Sequence, residues 1–276
     1  MEHVHAPAEL LSFMERIHVP AELQSLVEQH MASFQCGAHH MDHVLRVCSL
    51  AQHLAVLEGG NQKVAVVAAL CHDVLDSKLI SPHATQSTEE LLVTALRQDS
   101  AFLSEEEASL VLFISKNIGY RKLLDKNWFE SIDSQPVELR CVQDADSLDA
   151  IGAVGIARCF AFGGKRNRPL FDMRGVIGTD PLSVAAYVQA GAAGSGLEHF
   201  FEKLLRLRRM MVTKSGETLA AKRQRNMLSW LRALQEELEE GERFAPPPLS
   251  GDAAANEPTL SQILRTNIPL FSDDEG

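Results

Sequence analysis

The sequence predicts an all-α protein, and three observations carry that prediction. Ala and Leu are plentiful while aromatics make up only 6% of the chain, a mix that favours helix over strand. Apolar residues return at helical intervals through most of the length. No run alternates apolar and polar residues as a strand would, and no internal repeat is evident.

Taken in order, residues 1–20 are a short lead-in with Pro7 and Pro20. The first helix covers "AELQSLVEQHM", with Leu23, Leu26, Val27 and His30 at helical spacing. Gly37 marks a turn, and the second helix runs from about Met41 to Glu58. Its apolar side holds Val44, Leu45, Val47, Cys48, Ala51, Leu54 and Ala55, and "GGNQ" ends it, as two glycines should. A greasy helix follows from Val64 to Asp73. "SPHATQSTEE" is a loop in which Ser87 or Thr88 caps a helix entered by Glu89 and Glu90. Residues 89–98 and 104–116 have helical patterns, and 119–135 are a mixed polar and aromatic connection. One helix is then expected from Pro136 to Phe162, broken by "GGKRNRP" at Gly163. Residues 164–195 form a loop-rich insertion. Two long amphipathic helices are expected at 196–212 and 216–240. In the first, Leu204, Leu205, Leu207 and Met211 read as core or helix interface. Beyond that, 241–276 changes to a Pro-, Ala- and polar-rich tail expected to be disordered. The organisation is thus a lead-in, one helical body over 21–240, and a tail.

The 276 residues are 45% hydrophobic, ample for one sizeable domain. A formal charge of -11 speaks against a non-specific nucleic-acid binder, which needs a basic footprint. Cys36, Cys48, Cys71, Cys141 and Cys159 are odd in number and lack C-x-x-C spacing, so they read as free thiols in a reducing compartment. No signal peptide is evident, and no window offers about 18 uninterrupted apolar residues for a membrane span. The expected location is the cytosol, with the nucleus also compatible and no membrane partner. The amphipathic helices over 196–240 leave room for a homodimer.

Imidazoles and carboxylates concentrate at helix positions in three regions. In "AHHMDHVLRV", His39 and His43 are four apart and lie about 40° apart on a helix, with Arg46 about 60° from His43 on the same side. His72 and Asp73 end the greasy helix, and Asp76 and Lys78 follow just beyond. "QDADSLDAIG" supplies Asp144, Asp146 and Asp149. Two imidazoles with two or more carboxylates make a donor set suited to Mn²⁺, Fe, Co²⁺, Ni²⁺ or Mg²⁺, with positions left for water. A carboxylate on an Ala/Leu/Val helix is costly unless paired or coordinated. Singly, each is more often a cap or a satisfied polar group; three in order are hard to obtain by accident.

The ordered pattern H…HD…D resembles the HD-domain superfamily of metal-dependent phosphohydrolases. "HVLRV", "AALCHDVLDSK", "VQDADSLDAIGAVGIARCFAFGG" and "HFFEKLLRLRRMMVTKSGETLAAKRQRNML" look like the stand-alone HD proteins of bacteria, over roughly residues 25–240. Some of that group hydrolyse nucleoside triphosphates to monophosphate and pyrophosphate. The resemblance implies a helical bundle around a metal cleft, with His43, His72, Asp73 and Asp146 as ligands and Mn²⁺ as the first choice of ion. Asp144 is the alternative for the fourth place, but it faces about 200° from Asp146 on a helix, so the two do not easily share one ion. His39 matches the family, whereas His40 replaces an often acidic residue and leaves the role of that loop open.

Arg46, Lys78, Lys116, Arg158, Lys165, Arg166 and Arg168 are candidates for phosphate contact; the alternative for each is a solvated cation. "GGKRNRP" has no P-loop spacing. Asp76 is a candidate general base or orienter of water, and Asp149 a candidate to hold a ligand histidine in its tautomer. The expected function is metal-dependent hydrolysis of a phosphorylated small molecule, a nucleotide above all. Two other readings use the same fold. A diiron oxygenase needs extra histidines between the HD pair and the last Asp, and only His83 lies there. A non-catalytic nucleotide sensor needs no intact ligand set.

Overall fold

The computed structural model describes residues 18–32, 40–75, 87–171, 194–243 and 258–271. Within these the chain is helical and no strand occurs, so the all-α class is as the sequence predicts. The helices are α1 (Ala21–Ala32), α2 (Met41–Glu58), α3 (Gln62–Cys71), α4 (Thr88–Arg97), α5 (Glu105–Asn117), α6 (Tyr120–Leu123), α7 (Lys126–Glu130), α8 (Val137–Asp149), α9 (Gly152–Lys165), α10 (Gly196–Glu202), α11 (Lys214–Arg243) and α12 (Leu260–Asn267), with short 3₁₀ turns between some of them. No described helix is long and apolar enough to cross a membrane.

The chain divides into two compact units, one of Met1–Asp149 with Met210–Thr218 and one of Ala150–Arg209 with Leu219–Gly276. In the first, α3 is the central element. Every residue from Val64 to Cys71 is buried, so the helix is apolar all round, as an interior helix must be. It packs against α2, α5 and α8, and α2 packs along α8. The start of α3 is fixed twice. The Asn61 side chain accepts from Val64 N, and Asn61 N donates to Glu138 Oε1 on α8 at 2.6 Å. Ser87 and Ser104 form capping boxes with Glu90 and Glu107, placing the starts of α4 and α5 where the sequence predicts them.

Four features differ from the sequence expectation. The connection over 119–135 contains α6, α7 and a 3₁₀ turn at Ile132–Ser134. The single helix expected from Pro136 to Phe162 is two, because Gly152 takes φ +75, outside the right-handed helical region. A Cβ at Gly152 would also stand 3.0 Å from Arg223 Cβ. Gly152→Ala is therefore expected to cost about 1–2 kcal/mol of stability, measurable by denaturant unfolding. The helix expected at 196–212 is α10 followed by a 3₁₀ segment at Leu204–Met210. There Arg206 is buried and its Nε donates to Phe201 O at 2.7 Å.

The fourth difference is the tail. Residues 244–257 lie outside the described residues, but 258–271 form α12 and a 3₁₀ turn. Thr259 and Gln262 make a capping box, and Leu264, Ile268 and Phe271 are buried. Gln224 Nε2 on α11 donates to Phe271 O at 3.0 Å, and Ser261 donates to Glu242 at 2.7 Å. The segment is a docked helix of the second unit, whose aromatic core joins Phe160, Phe200 and Trp230.

Cys48, Cys71, Cys141 and Cys159 are free thiols; Cys36 lies outside the described residues. Burial pushes the Cys71 and Cys141 thiols up to about 12 and Cys48 higher still. These three are expected to resist a thiol reagent in the native protein and to react only on unfolding, as peptide mapping after timed labelling would show.

Candidate metal centre

The centre is built from three helices of the first unit. His43 lies in the first turn of α2, His72 and Asp73 directly follow α3, and Asp146 and Asp149 lie near the end of α8. Burial of the α2, α3 and α8 apolar faces against one another brings these polar positions together. His43 Nε2 and His72 Nε2 stand 3.2 Å apart. Asp73 Oδ2 is 3.6 Å from the first and 3.4 Å from the second; Asp146 Oδ1 is 3.6 and 3.8 Å from them. The imidazoles are almost wholly buried, while Asp146 is 27% exposed, so the cluster opens on its Asp146 side.

Hydrogen bonds on the far side of each ring fix what the near side offers. His72 Nδ1 lies 2.7 Å from Ala69 O, and a carbonyl only accepts, so that nitrogen carries the proton. His43 Nδ1 lies 2.8 Å from Asp149 Oδ2 and donates to the carboxylate. In the neutral rings both Nε2 atoms then turn their lone pairs toward the cluster. Each imidazole nitrogen has a carboxylate oxygen of Asp73 and one of Asp146 within 3.8 Å, and such acceptors repel one another unless a proton or a cation lies between them. A cation in their midst removes that repulsion. Donors about 2.1 Å from an ion stand about 3.0 Å apart at right angles and about 3.4 Å apart at tetrahedral angles, and the observed spacings fall at or slightly above these values. His43, His72 and Asp73 constitute a candidate divalent-metal site, their donor atoms all within 4.8 Å of one another.

Asp144 is engaged elsewhere. It accepts from Val212 N at 3.0 Å, from Thr213 N at 2.8 Å and from Thr213 Oγ1 at 2.6 Å. It thereby holds the residues that lead into α11, and burial pushes its carboxyl up to about 6 against these hydrogen bonds.

The other sequence candidates are scattered. Arg46 turns its Nε and Nη2 onto Asp149 at 2.8 and 3.0 Å. Lys116 is exposed and pairs with Glu89. Arg158, Lys165 and Arg166 belong to the second unit, where Arg166 and Arg168 lie over the Phe162 ring at 4.8 and 5.5 Å. His40 is exposed, 3.8 Å from Asp42. Asp76, Lys78, His39 and His83 lie outside the described residues. One contact went unread in the sequence: His30 on α1 hydrogen-bonds the Asp73 main chain, and burial lowers its imidazole pKa. The only signal for it was a histidine on the apolar side of α1.

Residues 41–151, which span His43, His72, Asp73, Asp146 and Asp149, match the model of the HD domain. The uncharacterized protein YpgQ of Bacillus subtilis is 32% identical over 214 residues, covering 76% of this chain and 89% of YpgQ. The crystal structure of YpgQ in complex with ADP superimposes with a TM-score of 0.58 at 29% identity, covering 78% of this chain and 96% of that one. An HD-superfamily hydrolase of Bacillus thuringiensis gives 0.56 at 28% identity, covering 82% and 98%. Fold, ordered motif and relatives agree: the chain belongs to the HD-domain superfamily of metal-dependent phosphohydrolases.

Proposed function

We propose that the chain hydrolyses a nucleotide, a nucleoside triphosphate to monophosphate and pyrophosphate above all, with one divalent cation held by His43, His72, Asp73 and Asp146. The observation that carries the metal reading is the convergence of His43 Nε2, His72 Nε2 and Asp73 Oδ2, with Asp146 Oδ1 within 3.8 Å of both nitrogens. The engagement of Asp144 with residues 212–213 favours Asp146 as the fourth ligand. The relative YpgQ forms a complex with ADP, which supports a nucleotide as the substrate class.

A cation there supplies Lewis acidity toward water and a phosphoryl oxygen. The chain does the rest. Ala69 O and Asp149 hold both imidazoles by Nδ1, with Nε2 aimed inward. Asp146, the most exposed of the four ligands, borders the approach of substrate. Asp76 is the proposed base for the attacking water, and Lys78 and Lys116 are the proposed cations for phosphate charge. Mn²⁺ is the first choice of ion, and the proposed location is cytoplasmic. A homodimer is part of the same proposal.

The test is turnover of a nucleotide panel by metal-stripped protein with Mn²⁺, Mg²⁺, Co²⁺ or Ni²⁺ restored, phosphate and pyrophosphate being detected separately. Metal-restored release of pyrophosphate is the expected result. Release of phosphate alone would move the cut to the terminal bond. Silence across the panel with metal bound would leave a nucleotide sensor or a hydrolase of another phosphoester.

A further inference from the structure

We propose that Arg46 is a positioning residue for His43, acting through Asp149, and not a clamp on substrate phosphate. The inference rests on the metal centre proposed above.

Arg46 lies one turn after His43 on α2, so both side chains leave the same face of the helix. Both reach one carboxylate, that of Asp149 at the end of α8. The guanidinium meets it edge on, Nε to Oδ1 at 2.8 Å and Nη2 to Oδ2 at 3.0 Å. Two parallel donors fix the plane of a carboxylate, which one donor cannot do. Oδ2 is also the atom that accepts from His43 Nδ1 at 2.8 Å. Asp149 is 1% exposed, so no bulk water competes for these positions. Arg46 itself is 37% exposed, yet its fork is turned inward onto Asp149 and only the remaining edge is left for anything else.

The consequence falls on His43 Nε2. While Oδ2 stays in line with Nδ1, the ring has one orientation and one tautomer, with the Nε2 lone pair directed at the cluster. Release of the fork removes two of the donors that hold the Asp149 carboxylate in its plane. Oδ2 then leaves the ring plane and the tautomer with a proton on Nε2 becomes accessible. That tautomer presents a proton where the centre needs a donor atom. Lysine does not rescue this, because an ammonium is a point charge with no fork.

The test uses the full chain labelled with ¹⁵N and freed of metal, with imidazole nitrogens read by long-range ¹⁵N–¹H correlation. The His43 signals are assigned by their loss in His43→Gln. Wild type is expected to show a single His43 tautomer protonated on Nδ1. Arg46→Lys and Arg46→Gln are expected to show both tautomers and to bind Mn²⁺ about 10- to 100-fold more weakly in calorimetric titration. With saturating Mn²⁺, their KM for the best nucleotide of the panel should move by less than about 3-fold. Arg46→Lys keeps a positive charge beside Asp149 and supplies all readings should Arg46→Gln fail to fold.

An unchanged His43 tautomer in Arg46→Lys overturns the inference, and so does a large rise in KM with Mn²⁺ affinity intact, the signature of a phosphate clamp. If Arg46→Lys releases the tautomer but no variant, wild type included, takes up Mn²⁺, the positioning role stands and the metal-dependent function fails.

Discussion

Asp73→Ala is expected to abolish metal-dependent turnover, lowering kcat on the order of 10³-fold or more, with no loss of fold. Asp73 Oδ2 lies 3.4 Å from His72 Nε2 and 3.6 Å from His43 Nε2. Its deletion removes a donor from the ion and also one member of a mutually repelling group. The metal-free variant should therefore melt at or above the wild-type temperature. Addition of Mn²⁺ separates the two proteins. An ion at 100 times its Kd stabilises the wild type by about 2.7 kcal/mol, seen as a rise in Tm that the variant should lack. A variant that unfolds without metal, or that retains the Mn²⁺-dependent rise, would contradict the assignment of Asp73 as a ligand.

Asp144→Ala is expected to have the largest effect on stability, about 3 kcal/mol near pH 5. The carboxylate is fully buried and accepts from two consecutive backbone N–H groups and from Thr213 Oγ1. Its loss leaves donors at 212 and 213 without their acceptor inside the protein. Gly216 belongs to the same arrangement, since a Cβ there would stand 2.2 Å from Asp144 Oδ2. Gly216→Ala should be destabilising for that reason. The pH dependence has a definite sign. The folded carboxyl titrates near 6 against 3.8 in the unfolded chain, so the native state holds the proton more tightly. The contribution of Asp144 is full below about pH 4 and is lost as the pH rises through 6. Chemical denaturation at pH 5 and pH 8 should show a smaller penalty for Asp144→Ala at the higher pH. A penalty that grows toward pH 8 would mean that the hydrogen bonds outweigh burial at this carboxyl.

Much of this was legible in the sequence, and the parts that were not share a cause. Helices α1 to α5 follow from local spacing, and α4 and α5 also from caps at their starts, so their limits were readable to within about two residues. The four converging residues were readable as an ordered pattern in three segments. What Asp144 does was not readable, because its partners lie 68 and 69 residues further on. The same holds for Arg46 and Asp149, 103 residues apart. A basic residue near a metal motif reads as a phosphate contact until its partner is placed. The break after Asp149 was hidden because the apolar pattern of "LDAIGAVGIAR" runs through it, and only the extended backbone of Ile151 and the positive φ of Gly152 mark the start of α9. In the tail, averaging composition over 241–276 concealed a capped segment of three buried apolar residues.

The uninterrupted burial of α3 from Val64 to Cys71 bears on how the centre is lost as well as how it is formed. A helix enclosed on all sides has no partial opening that exposes one face at a time. Amide exchange at Val66–Leu70 should thus proceed only through global unfolding, among the slowest in the chain. His72 and Asp73 are the first residues past that helix. Their spacing is tied to the last part of the molecule to come apart, so heat or denaturant should erase the catalytic geometry and the native state in a single step, leaving no folded but disarmed intermediate.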